Sequence, residues 1–388
     1  MGISLGVVGL GAFGASFVEL FAAHPLVDRI ALCDREPERI EAFADKPAVQ
    51  AKLNPADRYA SLDAICQSDL DALAIITQPW LHAPQAVQAM EAGKDVYTAV
   101  PVLSVPDGDE ILDWCNRLVE TCTRTGHQYM LGETTFFRAS TMYCRRRAAQ
   151  GDFGDFVYAE GEYLHDRDNP WSNLREVQRH RLASQAGQEW KELAKQYVAR
   201  GVLAGPMHYP THSVSGPVSV MKAHATKVRA LPFYNRTGDD FFHGEPANET
   251  ALFDMSNGAT MRICEYREIA MPGREDFRIW GNRGSYEYNQ WHTNAGSTPL
   301  TEEEMRDPLP PEVVESHRAA LGEDHLGGHG GSHAYLAHEF VDAVATRRRP
   351  AINAWEAARY MACGVMAHKS ALRDGEVLAV PDWGDAPE

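Results

Sequence analysis

The chain has 388 residues, with 37 Lys and Arg against 54 Asp and Glu, a formal net charge of −17, and 44% of its residues hydrophobic. Those proportions belong to a folded globular protein long enough for two domains and a large core, and they exclude the disordered and fibrous classes. The acidic excess argues against a general nucleic-acid binder, which needs a basic surface to displace counterions, but it leaves room for a local basic pocket.

No apolar run is long enough to span a bilayer, and the chain enters a strand without a basic stretch and apolar leader before it. The seven cysteines are odd in number and lack CxxC spacing, which reads as reduced thiols and not as a disulfide framework or zinc knuckle. The expectation is a cytoplasmic protein that uses neither nucleic acid, membrane nor metal.

In chain order, Ile3 to Val8 predicts a buried strand and Ala12 to Ala23 a helix. Strands follow at Ile30 to Cys33, Ala72 to Ile76, Asp95 to Tyr97 and Gln128 to Leu131. Between them lie helices at Ser61 to Gln67, Ala83 to Ala92 and Asp109 to Thr125. Such alternation implies a parallel sheet with helices on both faces. After about residue 135 the pattern changes to polar–apolar alternation, in Phe156 to Leu164, Thr226 to Leu231, Glu249 to Asp254, Ala259 to Tyr266, Phe277 to Gly281 and Gly284 to Tyr288. That predicts a large, mostly antiparallel sheet. Residues 294–331, rich in Pro, Gly and acid, read as an extended loop, followed by helices at Ala334 to Arg347 and Ala354 to Ala371. The fold class is therefore α/β, a Rossmann domain followed by an α/β domain with an open sheet. The boundaries are residues 1–132 for the dinucleotide domain and 133–388 for substrate binding and oligomerisation, with the C-terminal helices packing back on the first domain.

The strongest motif is Gly9-Leu10-Gly11-Ala12-Phe13-Gly14, placed between a strand and a helix. Gly9 permits the tight turn, Gly11 lets the backbone approach a pyrophosphate, and Gly14 lets helix and strand pack closely. Asp34 lies 20 residues beyond Gly14, where an acid accepts hydrogen bonds from a ribose and repels a 2′-phosphate. The expected cofactor is NAD, although Arg35 beside it offers a cation to such a phosphate. Thr77, Pro79 and His82 follow the strand ending at Ile76, at the edge of the sheet where ligands lie; the plain alternative is a strand-to-helix turn.

With these features the chain resembles the Gfo/Idh/MocA oxidoreductases. The resemblance rests on the glycine motif, Asp34, Thr77-Gln-Pro through His82, Ala92-Gly93-Lys94-Asp95-Val96 and the tail Val377 to Pro381, and it covers nearly the whole length. It implies a carbohydrate substrate between the two domains and a homodimer or homotetramer formed through the open sheet. Two departures stand out. Where most dehydrogenases of the family carry Glu-Lys-Pro, this chain has Ala99-Val100-Pro101, with no group to relay a hydroxyl proton. Where the family has Asp-x-x-x-His, this chain has His208-Tyr209-Pro210-Thr211-His212. That string, with Gly328-His329-Gly330-Gly331, is similar to the branch of NAD-dependent glycosidases that includes redox-acting α-N-acetylgalactosaminidases and sulfoquinovosidases.

The resemblance implies transient oxidation at C3 of a sugar, elimination of the aglycone, addition of water and re-reduction. His212 is the expected base for the hydroxyl. His208, Tyr209, Tyr163 (as a tyrosinate) and Glu133 are candidates for the other proton transfers, and Pro101 and Glu133 also line the cofactor. His165 and His329 are expected near the sugar, His329 on a connector or a lid that reaches a neighbouring subunit. Arg175, Arg179, Lys191 and Lys195 form a basic run that is either a solvated helix face or a site for an anionic sugar such as a sulfoquinovoside. A zinc half-site from His208 and His212 is the alternative use of that pair, with no third ligand evident. At the level of function, an NAD-dependent sugar or polyol dehydrogenase and a non-catalytic NAD-binding partner stay open beside the glycosidase.

Overall fold

The computed structural model describes residues 2–170 and 173–387. The first domain contains β1 (Ile3–Val8), α1 (Ala12–Ala23), β2 (Val27–Cys33), α2 (Pro37–Ala44), α3 (Pro47–Gln50), β3 (Leu53–Tyr59) and α4 (Leu62–Cys66). It continues with β4 (Ala72–Ile75), α5 (His82–Glu91), β5 (Asp95–Ala99), α6 (Gly108–Thr125) and β6 (Tyr129–Gly132). These six strands are all parallel, in the order β3-β2-β1-β4-β5-β6. The order reverses between β1 and β4, which is where doubly wound sheets bind ligands. Central strands such as Ala72–Ile75 are wholly buried because helices cover both faces. β3 was not expected: it is an edge strand paired only with β2, and its exposed Asn54, Pro55 and Ala56 carry no apolar alternation.

α7 (Ala139–Ala149) leads into β7 (Phe156–Leu164). A helical hairpin of α8 (Leu174–Ala183) and α9 (Gln185–Ala199) follows, then α10 (Thr211–Met221), β8 (Ala225–Tyr234), β9 (Pro246–Met255) and β10 (Thr260–Tyr266). Next come β11 (Arg274–Gly281), β12 (Ser285–Glu287), β13 (Gln290–Thr293) and β14 (Gly296–Pro299). The chain closes with α11 (Glu302–Met305), α12 (Pro311–Leu321), α13 (Gly328–Thr346), α14 (Ala354–Ala371) and β15 (Leu378–Ala379). The nine strands of this part form one sheet, β14-β13-β12-β11-β7-β10-β9-β8-β15, antiparallel except for β10 beside β7.

One glycine sets how closely the site can be built on this sheet. A Cβ on Gly161 of β7 would overlap the Ser213 carbonyl oxygen, so its absence lets α10 press directly onto the strand. Tyr163, two residues on and facing the same side, then lies under the first turn of α10.

The expected loop over residues 294–331 is corrected by the structure. It holds β14, α11 and α12, and α12 opens on Pro311 and ends at Gly322 with φ +63°. Proline inside the start and glycine past the end delimit a helix, and the acid between them is its solvent face. α12 docks on α1 through histidines. His24, just past α1, lies 3.2 Å (Nε2) from Nδ1 of His338 on α13, and its ring stacks on His338 at 5.5 Å. His317 of α12 sits 6.0 Å from His24 and bonds the Leu20 carbonyl.

Burial, with the neighbouring imidazoles and Lys52, pushes His24 down to about 3, and burial pushes His317 down to about 4. Both stay neutral in the folded chain over a range where the unfolded chain takes up protons near 6.5. The stability they contribute is present above pH 6.5 and is lost as pH falls toward 3 to 4. Thermal unfolding followed from neutral pH down to pH 4 should show a falling Tm, and the slope should flatten in a His24→Leu, His317→Leu double variant. An unchanged slope contradicts this reading.

Candidate active site

The parallel sheet brings Gly9, Asp34, Thr77, Val100 and Glu133 to one edge, each at or just past the carboxyl end of a strand. Gly9 has φ +90°, and a Cβ there would come 2.5 Å from the Ile76 carbonyl oxygen. A Cβ on Gly14 would overlap the Gly9 carbonyl oxygen. Both glycines are thus required by the chain's own packing. Gly11 differs, since a Cβ there would meet nothing nearer than Arg39 Nη1 at 3.7 Å. Its bareness leaves a cradle at the N-terminus of α1, whose free N–H groups receive no side-chain cap. That is what a pyrophosphate needs. Ala12 and Phe13 open the helix here.

Asp34 is buried and fixes the turn, accepting from Leu10 N–H at 2.7 Å and Glu36 N–H at 2.9 Å. Each of its oxygens keeps a second lone pair for a ribose. Thr77 donates to Gln85 at 2.6 Å, and the Pro79 carbonyl accepts from Ser104 N–H at 3.0 Å. His82, expected to face the cofactor, is a strut instead. It is buried, with Nδ1 2.9 Å from the Pro101 carbonyl and Nε2 3.2 Å from the Thr77 carbonyl. Burial lowers it to about 4 although both carbonyls favour the protonated form, so the neutral ring donates to one of the two and packs its other nitrogen against the second.

At the seam between the domains, Glu133 and His212 meet. Glu133 Oε1 lies 2.8 Å from His212 Nδ1 and accepts from Thr135 N–H at 2.8 Å. Glu133 is fully buried and His212 is 7% exposed. Burial alone would lower His212, but the charges of Glu133 and Glu275 and the Glu133 hydrogen bond raise it to about 9. Burial pushes Glu133 up, but His212 and Thr135 pull it below its usual range. The pair is therefore imidazolium and carboxylate at neutral pH. Nδ1 is held by Glu133, which leaves Nε2 as the nitrogen a ligand can meet.

The His212 ring stacks on Tyr163 at 5.1 Å, and Tyr163 stacks on His165 at 4.1 Å. Tyr209 lies 5.7 Å from His212 and 6.2 Å from Tyr163. Burial lifts Tyr163 well above the phenol range, so the tyrosinate expected there is corrected to a neutral phenol, and burial likewise lifts Tyr209 to about 12. His165 Nε2 contacts Glu275 Oε1 at 3.2 Å, and its Nδ1 is buried without a partner. Glu275 also pairs with Arg138. Burial opposes its ionisation, but His212, His165 and Arg138 hold it well below the usual carboxylate range. His208 stands one layer back. Its Nδ1 is 3.1 Å from the Val105 carbonyl and its ring lies 4.5 Å from His368, while Nε2 is buried without a partner.

A cavity of about 810 Å³ opens beside this cluster, bounded by Tyr163, Tyr209, His208 and the α8–α9 hairpin. Lys191, Lys195, Arg181 and Arg267 line it, Lys195 being paired with Glu192 and Arg267 with Glu265. Arg175 and Arg179 do not. Arg175 is taken by Asp168 and Asp239, and the exposed Arg179 by Glu176, because the faces of α8 that carry them turn to acidic neighbours. His329 has left-handed φ of 52°, followed by Gly330 and Gly331 in the same region. Its ring stands edge-on to Phe13 at 5.9 Å, which puts the loop against the dinucleotide turn of its own chain. Among the described residues no group of three or more His, Cys, Asp or Glu is placed to hold a metal ion, and no helix is long and apolar enough to cross a membrane.

Sequence reasoning missed Glu275, Arg138, Arg267 and any role for Thr211. Thr211 sits within the His-Tyr-Pro-Thr-His string and could have been read from it; its buried hydroxyl helps to hold Glu133 ionised. Glu275 reaches the site because β11 pairs with β7 in the register Glu275–Tyr163, which no local pattern specifies.

Fold and edge together define an NAD-binding Rossmann oxidoreductase with an appended sheet domain. Residues 3–133 match the Gfo/Idh/MocA model, described as an oxidoreductase family with an NAD-binding Rossmann fold. A glycosyl hydrolase family 109 protein of Stenotrophomonas maltophilia (strain K279a) is 25% identical, over 98% of this chain and 89% of that one. Aldose-aldose oxidoreductase from Caulobacter crescentus, solved with glycerol, superposes with a TM-score of 0.72 at 16% identity, over 98% of this chain and 100% of that one. Scyllo-inositol dehydrogenase from Lactobacillus casei, solved with NAD(H) and scyllo-inositol, gives 0.68 at 14%, over 98% and 99%. At those identities the structures share the fold.

The two glycines separate packing from binding. Gly11→Ala should fold with an unchanged Tm and lose NAD affinity by about tenfold or more, whereas Gly14→Ala should lower the Tm. Isothermal titration and thermal melts check both. Unchanged NAD affinity in Gly11→Ala contradicts the cradle.

Proposed function

We propose that the chain is an NAD-dependent glycoside hydrolase for an anionic sugar glycoside. The observation that supports this reading is the buried Glu133–His212 pair, a proton-transfer group in a chain that has Val100 where most dehydrogenases of this fold carry a lysine. The full-length likeness to a glycosyl hydrolase family 109 protein agrees with it.

Bound NAD supplies a hydride acceptor that returns the hydride at the end, so the sugar is oxidised and re-reduced without net change. The protein's part is the protons. Neutral His212, the minor form below about pH 9, takes the ring hydroxyl's proton at Nε2 when the hydroxyl is oxidised and returns it on re-reduction, and Glu133 stabilises the imidazolium so formed. His165 is the base for the ring C–H beside the ketone. Glu275 at Nε2 fixes its tautomer and leaves a lone pair on Nδ1. Tyr163 and Tyr209 are phenols that stay protonated, and they act as donors to the departing aglycone oxygen. Arg181 and Lys191 line the cavity with no ion-pair partner among the described residues, whereas Lys195 there is paired with Glu192 and Arg267 with Glu265. A sulfonated or carboxylated sugar matches that lining.

Incubated with NAD⁺ and a panel of aryl glycosides, the protein should release aglycone without net growth of NADH absorbance. It should favour anionic members by about tenfold or more, a preference lost in Arg181→Ala, Lys191→Ala. Product formed in D₂O should carry deuterium at C2. NADH accumulating in step with sugar consumption overturns the reading in favour of a sugar dehydrogenase, and product without deuterium excludes elimination.

A further inference from the structure

We infer that Glu189, on the α8–α9 hairpin, is a determinant of dinucleotide choice that excludes a 2′-phosphate by occupying Arg35. The end of β2 sends a mixed signal. Asp34 suits a free ribose, but an arginine directly after it is the side chain that would accept the phosphate of NADP. In the fold Arg35 is not free. Its Nη1 lies 2.9 Å from each carboxylate oxygen of Glu189, which comes from a segment 154 residues later in the chain. The other guanidinium at this edge, Arg39, is also matched, with Nη2 2.6 Å from Glu36 and Nη1 3.7 Å from Asp34. Arg39 Nη1 is the atom nearest the bare position on Gly11, so these charges stand beside the pyrophosphate cradle.

A 2′-phosphate arriving here would add about two negative charges to a group that already holds Asp34, Glu36 and Glu189. It would have to displace Glu189 from Arg35. A ribose 2′-hydroxyl requires neither. Glu189 is also held in position. Trp190, the next residue, stacks on Trp80 of the β4–α5 turn at 4.9 Å and 21°, which fixes α9 over this edge. Arg35 and Glu189 are each about half exposed, 48% and 54%, so their pair contributes little to folding. Its effect falls on which ligand the edge accepts.

The test is equilibrium binding of NAD⁺ and NADP⁺, read by titration calorimetry and by quenching of tryptophan fluorescence. The wild-type chain should prefer NAD⁺. Glu189→Gln should tighten NADP⁺ binding by about tenfold or more while leaving NAD⁺ within about twofold and the Tm unchanged. Adding Arg35→Ala should abolish the gain, and Glu189→Ala should repeat the result of Glu189→Gln. Equal affinity of the wild type for both nucleotides, an unchanged ratio in both Glu189 variants, or a gain that survives Arg35→Ala overturns the inference. None of these readouts depends on glycoside turnover, so they stand apart from the proposed reaction.

Discussion

The contact between Glu133 and His212 joins the two halves of the molecule. The carboxylate comes from the end of the last parallel strand and the imidazole from the first turn of a helix pressed on the other sheet. Taking two charges out of water costs several kcal/mol per ion unless geometry and further hydrogen bonds offset it. Here Thr135 N–H supplies such a bond. Even so, a fully buried ion pair is a costly way to hold two domains together. Strongly shifted groups of this kind mark functional sites.

The rest of the fold can be understood as the means of placing that pair. A side chain on Gly161 would lift α10 off β7 and separate His212 from Tyr163. The parallel sheet sets Glu133 on the same edge as the glycine turn, and the cavity lies beside Tyr163 and Tyr209, whose rings neighbour His212. The α8–α9 hairpin closes the arrangement. It walls the cavity with Arg181 and Lys191, and it reaches the dinucleotide edge with Glu189 and Trp190. One segment thus touches both ligand sites.

Much of this was legible in the residues. The parallel strands read as short apolar runs because both faces are covered, and the glycine motif carries its own backbone requirements. What could not be read was set by partners distant in sequence. β3 is half exposed at an edge, so it lacks a strand pattern. α12 hides in an acidic, Pro-rich stretch because only Val313 and His317 are buried. The basic run from Arg175 to Arg200 was visible, but which of its members face the cavity depends on acids such as Asp239, far along the chain. His82 looked like a cofactor ligand by position and proved to be a strut, because both its nitrogens meet backbone carbonyls. Glu275 depended on strand register, and the protonation of His212 depended on two carboxylates from separate strands.

The central claim is that Glu133 holds His212 as a buried imidazolium that takes the place of the lysine's amine. Nitrogen-15 NMR of the histidine rings across a pH series measures this directly. The account predicts that both His212 ring nitrogens carry protons at neutral pH, that they titrate near 9, and that replacing Glu133 with Gln moves the titration sharply downward. A His212 ring that is neutral at pH 7 and titrates in the ordinary histidine range, unmoved by that replacement, would contradict it.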